Sequence, residues 1–152
     1  MSEQSTMREH TMTIERVLDA PRELVWRAFT DPDEVTKWWG PEHFTTPREL
    51  IEFDLRPGGA CRLMMIGPDG QKYPNDGHFG VVEPPERYSF AGEVPDNPMM
   101  KSAETTVEFV ALDETRTKVI VSSRMICTEE LIPMANAGWS SQLDKLVRLF
   151  VT

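Results

Sequence analysis

The sequence predicts an α+β protein in which a curved antiparallel sheet of seven strands is covered by one long C-terminal helix. Three patterns predict this fold. From Glu129 to Phe150 the apolar residues lie on one side of a helix. From Thr45 to Cys127 apolar and polar residues alternate, which is typical of strands with one buried face. Two helix-start signals lie between the first strand and this region, so two short helices are expected there.

The C-terminal helix is expected to run from Glu129 to Phe150, roughly 33 Å at the usual rise per residue. That length is enough to cross a whole sheet, and a helix laid over a curved sheet can enclose a cavity. The expected buried stripe consists of Leu131, Ala135, Gly138, Trp139, Gln142, Leu143, Leu146, Leu149 and Phe150.

The first strand is expected over residues 11–18, where apolar residues alternate with polar ones. Pro21 then suits the first position of a helix, because its missing N–H would have no partner there. Asp31 is a candidate N-cap of a second helix, with Glu34 at the capping-box position. The Gly-Pro pair at residues 40–41 should end this helix.

Six further strands are expected between Thr45 and Cys127. The turns that separate them are rich in glycine and proline, as at residues 56–59, 67–70 and 83–86. The stretch from Val94 to Met100 is expected to be a loop. The strand residues expected to face the helix include Phe53, Leu63, Met65, Phe79, Phe90 and Val107.

The length of 152 residues fits one domain, expected over residues 11–152 after a flexible polar leader at residues 1–10. The leader lacks the apolar core of a secretory signal, and no apolar run is long enough to cross a bilayer. The sequence therefore predicts a cytoplasmic protein.

The composition argues against several kinds of partner and site. A net charge of −9 opposes binding to nucleic acids and to anionic membranes. Cys61 and Cys127 are far apart in sequence and are expected to be buried structural thiols, and the three histidines lack ligand spacing. We therefore expect no metal site and no cofactor.

Short motifs in a fixed order link the chain to a known superfamily. The motifs are Ala20-Pro21 with Val25-Trp26, Thr30-Asp31-Pro32, Trp38-Trp39-Gly40-Pro41, Arg56-Pro57-Gly58-Gly59, Gly77, Pro84-Pro85-Glu86-Arg87, and Gly138-Trp139 with Leu143-Asp144. With the order of elements, they resemble the helix-grip fold of the START/Bet v 1-like (SRPBCC) superfamily, and within it the activator of heat-shock-protein-90 ATPase homologues. The resemblance implies a hydrophobic cavity between sheet and helix, but no catalytic residues common to the superfamily.

The sequence favours a small-molecule binding module that holds an apolar or amphipathic ligand in such a cavity. It contains no nucleophile beside a base, no carboxylate pair on one face and no phosphate-binding glycine loop, so no catalytic residue is assigned. A cyclase-like or other small enzyme using the same cavity is the alternative, and a chaperone-associated interaction domain is the second. A sheet edge could also pair two chains into a homodimer. The expected ligand-binding residues are Trp39, Phe53, Leu63, Met65, Phe79, Phe90, Val107, Trp139, Gln142, Leu143 and Leu146.

Three of these residues keep two interpretations. Trp39 and its neighbour Trp38 could line the mouth of the cavity, or at least one of them could pack a short helix onto the sheet. Trp139 could be a core residue, a ligand contact or both. Gln142 is the one amide in an apolar stripe, so it could orient a ligand or bond to sheet backbone or water.

Overall fold

The computed structural model describes residues 6–93 and 98–150. The elements in chain order are β1 (Arg8–Leu18), α1 (Arg22–Thr30), α2 (Pro32–Val35), a short 3-10 helix (Arg48–Leu50), β2 (Glu52–Phe53), β3 (Ala60–Ile66), β4 (Lys72–Glu83), β5 (Arg87–Glu93), β6 (Met100–Ala111), β7 (Thr117–Cys127) and α3 (Leu131–Leu149).

The described strands form one antiparallel seven-stranded sheet in the order β1-β7-β6-β5-β4-β3-β2. Alternate residues of β7 are buried from Thr117 to Cys127, as the period-two pattern predicts. The long helix α3 follows the last strand, and two short helices follow the first. This architecture confirms the predicted α+β class and the helix-grip arrangement.

Some boundaries differ from those expected. β1 begins at Arg8, inside the segment expected to be a flexible leader, and residues 1–5 of that segment lie outside the described residues. Of the loop expected over residues 94–100, residues 94–97 lie outside the described residues and Met100 begins β6. β2 has only two residues, because the chain turns at once: the Gly59 backbone packs so closely on Asp54 that a side chain at position 59 would overlap the Asp54 carbonyl.

The helix-start signals are confirmed in part. Pro21 is the N-cap residue of α1 and Arg22 is its first helical residue, and α2 ends at Val35, before the Gly40-Pro41 pair. The backbone N–H of Asp31 donates to the Arg27 carbonyl, so the Glu34 side chain completes no capping box. The Asp31 side chain accepts a hydrogen bond from the backbone N–H of Asp33 at 2.9 Å and so caps α2. After α2, the indole N–H of Trp38 donates to the carbonyl of Ala28 in α1 at 2.9 Å. The two short helices are thereby held together by a buried side chain.

The core fills only part of the space between the sheet and α3. Leu143 and Leu146 of α3 are fully buried and belong to the same cluster as Val119 and Val121 of β7 and Phe29 of α1. On the outer side, Arg16 of β1 pairs with Asp144 of α3 at 3.0 Å. The C-terminal half of α3 is therefore packed into the core, and its N-terminal half lies over the opposite end of the sheet.

Candidate functional site

A cavity of about 320 Å³ lies between the N-terminal half of α3 and the inner face of the sheet. This volume is at the lower end of the range for sites that hold small organic ligands. The wall is formed by Trp39, Pro41, Met65, Asn75, Phe90, Met100, Ala103, Thr105, Ser123, Met125, Leu131, Met134, Ala135, Gly138, Trp139 and Gln142.

The structure divides the eleven predicted ligand-binding residues into two groups. Trp39, Met65, Phe90, Trp139 and Gln142 line the cavity. The other six do not line it but pack in or against the main hydrophobic core; these are Phe53, Leu63, Phe79 and Val107 of the sheet and Leu143 and Leu146 of α3.

Several cavity residues were not predicted, although the sequence carried a signal for most of them. Leu131, Ala135 and Gly138 lie on the predicted apolar stripe of α3. Met125 continues the inward-facing positions of β7. Met100 could not be found in this way, because a register shift between Met100 and Ser102 breaks the alternation.

The two neighbouring tryptophans have different roles. Trp38 is fully buried, with its ring 4.7 Å from that of Phe29, and it packs the short helices together. Trp39 lines the cavity, where its ring lies 5.4 Å from that of Trp139. Trp139 lines the cavity and also packs against the core, and its contact with a ligand stays a prediction.

Gln142 is 5% exposed, and its amide oxygen accepts a hydrogen bond from the backbone N–H of Gly40 at 2.8 Å. The partner of the oxygen is therefore the loop after α2, not the sheet backbone. Because Gly40 supplies a donor, the amide nitrogen is the group left for other contacts. Within the described part of the chain, this nitrogen has no hydrogen-bond partner.

Further polar contacts fix the same loop on α3. The Lys145 ammonium donates to the Gly40 carbonyl at 2.9 Å, and the backbone N–H of Glu42 donates to the Ser141 hydroxyl at 2.8 Å. The Arg148 guanidinium pairs with the Glu42 carboxylate at 2.9 Å. Desolvation lowers the pKa of Lys145 from its ordinary value. The loop is thus one wall of the cavity, built onto the helix.

A second polar feature lies on the sheet side of the cavity. Thr105 of β6 and Ser123 of β7 are directly opposite in register, and their hydroxyl oxygens are 2.9 Å apart. Both residues are buried and line the cavity. None of the described residues that form the wall carries a charged side chain.

A wider and more open concavity of about 930 Å³ crosses the outer face of the sheet. Its arginines are already paired, Arg62 with Glu52 at 3.3 Å and Arg124 with Glu104 at 2.7 Å. The mixture of charge signs favours no single class of ligand, so the inner cavity is the better candidate site.

No group of three or more His, Cys, Asp or Glu residues is arranged to hold a metal ion among residues 6–93 and 98–150. In the same ranges, no helix combines the length and apolar character needed to span a bilayer.

We predict that the Cys61 thiol is unreactive in the folded protein. Burial raises its pKa to about 12, so at pH 8 on the order of one thiol in ten thousand is the reactive thiolate. A thiol-specific reagent such as Ellman's should label Cys61 only after addition of denaturant. Rapid labelling of native protein, mapped to Cys61 by mass spectrometry, would contradict the buried position. Cys61→Ala is the control that assigns the signal.

Solved structures of other proteins share this architecture. The chain is similar to protein CV1439 from Chromobacterium violaceum, with 30% identity over 92% of this chain and 96% of that chain and a TM-score of 0.81. It is similar to protein NE0264 from Nitrosomonas europaea, with 27% identity, coverage of 91% and 92%, and a TM-score of 0.77. The AHSA1 protein from Silicibacter pomeroyi is 22% identical over 91% of this chain and 96% of that chain and shares the fold with a TM-score of 0.79.

The search of curated proteins found no match. The family described as "Activator of Hsp90 ATPase homolog 1-like protein" matches residues 19–151, a range that begins just after β1 and contains every other strand and every helix given above. The chain therefore belongs to the Activator of Hsp90 ATPase homolog 1-like family.

Proposed function

We propose that the protein binds an apolar or amphipathic small molecule in the cavity between α3 and the sheet. The observation that carries this proposal is the buried amide of Gln142, whose oxygen is bonded to Gly40 and whose nitrogen has no hydrogen-bond partner in the described part of the chain. Gln142 lines the cavity, and its amide nitrogen is not among the fully buried side-chain atoms without a partner, so a ligand carbonyl or hydroxyl in the cavity would accept its hydrogen bond.

The rest of the wall supports a ligand that is mainly apolar. Trp39, Phe90 and Trp139 offer aromatic surface. Four methionines, Met65, Met100, Met125 and Met134, also line the cavity, and their unbranched side chains can adapt to ligands of different shape. This wall favours recognition by shape and burial, with few polar contacts.

The two cysteines bear on the compartment in which the protein works. Both cysteines in the described residues are free and buried, which supports a reducing compartment such as the cytoplasm. A homodimer formed through a sheet edge stays a proposal, and size-exclusion chromatography coupled to light scattering tests it.

We predict that Gln142→Leu weakens binding of acetonaphthone, a neutral aromatic ketone, by up to about tenfold. Naphthalene, which has no acceptor, should bind the variant as well as wild type or better. Equilibrium dialysis measures both affinities directly. The variant should also lose about 1 to 3 kcal/mol of stability, because the Gly40 N–H loses its acceptor.

Ser141→Ala is the matched control, because it removes a neighbouring contact to the same loop without touching the cavity. It should lower stability and leave the preference for the ketone unchanged. An equal loss of affinity for both probes in Gln142→Leu would mean that the amide acts only by holding the loop. Failure of wild type to retain either probe would refute the proposed function.

A further inference from the structure

The inner face of the sheet carries two hydroxyls where its neighbours are apolar. On β6 the buried residues that follow Thr105 on the same face are Val107 and Phe109, and on β7 those around Ser123 are Val121 and Met125. A pair of valines or alanines would continue this apolar face with no polar group to bury. Core packing therefore does not explain the hydroxyl pair.

The pair is not hydrogen-bonded to capacity. Two hydroxyls carry two hydrogens and four lone pairs, and the contact of 2.9 Å between Thr105 and Ser123 uses one hydrogen and one lone pair. Neither side chain bonds to another side chain or backbone group of the residues that the structure describes. One hydroxyl hydrogen and several lone pairs are therefore left over, on residues that line the cavity.

The wall offers no countercharge. Its polar side chains among the described residues are those of Asn75, Thr105, Ser123 and Gln142, all neutral. An ionised carboxylate, phosphate or amine enclosed there would lose its hydration without gaining an ion pair, which is strongly unfavourable. A ligand with neutral polar groups would not meet this penalty.

We propose that Thr105 and Ser123 form a second polar anchor, so that the cavity selects neutral molecules with two polar groups on one apolar body. This inference rests on the ligand-binding function proposed above. An acceptor on the ligand bonds to the Gln142 amide on the helix side, and a hydroxyl at the other end bonds to the Thr105–Ser123 pair on the sheet side. Hydroxyketones with an aromatic or alicyclic body are the ligand class with this chemistry.

The test uses five probes with the same naphthalene body and substituents at the ends of its long axis. They are naphthalene, acetonaphthone, naphthol, hydroxyacetonaphthone and hydroxynaphthoate, measured by equilibrium dialysis at a pH where the phenols are neutral and the carboxylate is charged. Wild type should bind hydroxyacetonaphthone most tightly and hydroxynaphthoate most weakly.

Two single variants then test whether Thr105 and Ser123 bind the ligand hydroxyl. Ser123→Ala and Thr105→Val should each weaken naphthol and hydroxyacetonaphthone by about three- to tenfold and leave naphthalene and acetonaphthone unchanged. Thr106→Val is the matched control, since Thr106 neighbours Thr105 on β6 and does not line the cavity. The double variant removes both partners of the pair together, which is the change least disturbing to the fold.

The outcomes separate this inference from the proposed function. If wild type binds naphthalene but the variants change all probes equally, the second anchor is refuted and the cavity remains a ligand site. If hydroxynaphthoate binds as tightly as hydroxyacetonaphthone, the selection of neutral ligands is refuted. If wild type retains none of the five probes, the proposed function fails and the anchor fails with it. Melting curves confirm that each variant is folded at the dialysis temperature.

Discussion

Leu143→Ala should lower the free energy of unfolding by about 2 to 5 kcal/mol, and Leu146→Ala should do the same. Both leucines are fully buried on α3 and pack in the main core with Val119 and Val121 of the sheet. Truncation to alanine removes apolar contacts and leaves a cavity that the neighbouring strands cannot close. Urea denaturation followed by circular dichroism measures the loss.

Leu149→Ala is the control on the same helix. The sequence places Leu149 on the buried stripe, but in the structure it is 48% exposed, so its truncation should change stability by no more than about 0.5 kcal/mol. Unchanged denaturation midpoints in both Leu143→Ala and Leu146→Ala would contradict the packing of α3 against the sheet.

The order of elements could be predicted because each signal is local. The alternation in β7 and the stripe on α3 arise from side-chain periods of two and 3.6 residues, and neither needs knowledge of distant partners. The start of α2 was equally local, since Asp31 caps a backbone N–H only two residues away. The observed ends of α3 differ from the expected ends by two residues at the start and one at the finish, which is the usual variation in helix assignment.

The cavity could be predicted only in part, because the period of a strand gives the face of a residue and not what covers it. Phe79 and Phe90 both face inward, yet Phe79 packs in the core and Phe90 lines the cavity. The difference depends on where α1 and the core half of α3 lie on the sheet. Sequence periodicity contains no information about that placement.

For Gln142, the sequence predicts that the buried amide needs a hydrogen-bond partner but does not predict which group that partner is. Its isolation in an apolar stripe identified it as a residue that needs a partner. The partner is the backbone N–H of Gly40, which is 102 positions away in sequence. No local pattern connects the two, because the contact is created by the closure of the loop onto α3.

The neighbouring tryptophans provide the second prediction with a large effect. Trp38→Ala should lower the free energy of unfolding by about 3 to 5 kcal/mol. It removes a fully buried indole, its packing on Phe29 and its hydrogen bond to the Ala28 carbonyl, so α1 loses these contacts with the segment after α2. Urea denaturation of the variant and wild type measures this loss.

Trp39→Ala separates the stability role from the binding role, because Trp39 borders the cavity and has empty space on one side. Its truncation should cost less stability than that of Trp38, while naphthalene binding weakens by about two- to tenfold through loss of an aromatic contact. Trp38→Ala, measured at a temperature where it is folded, should keep wild-type affinity for naphthalene. The reverse order, with Trp38 controlling affinity and Trp39 controlling stability, would contradict the assignment of Trp39 to the cavity wall. Because the residues are adjacent in sequence and alike in chemistry, such a difference can come only from the direction in which each ring points in the fold.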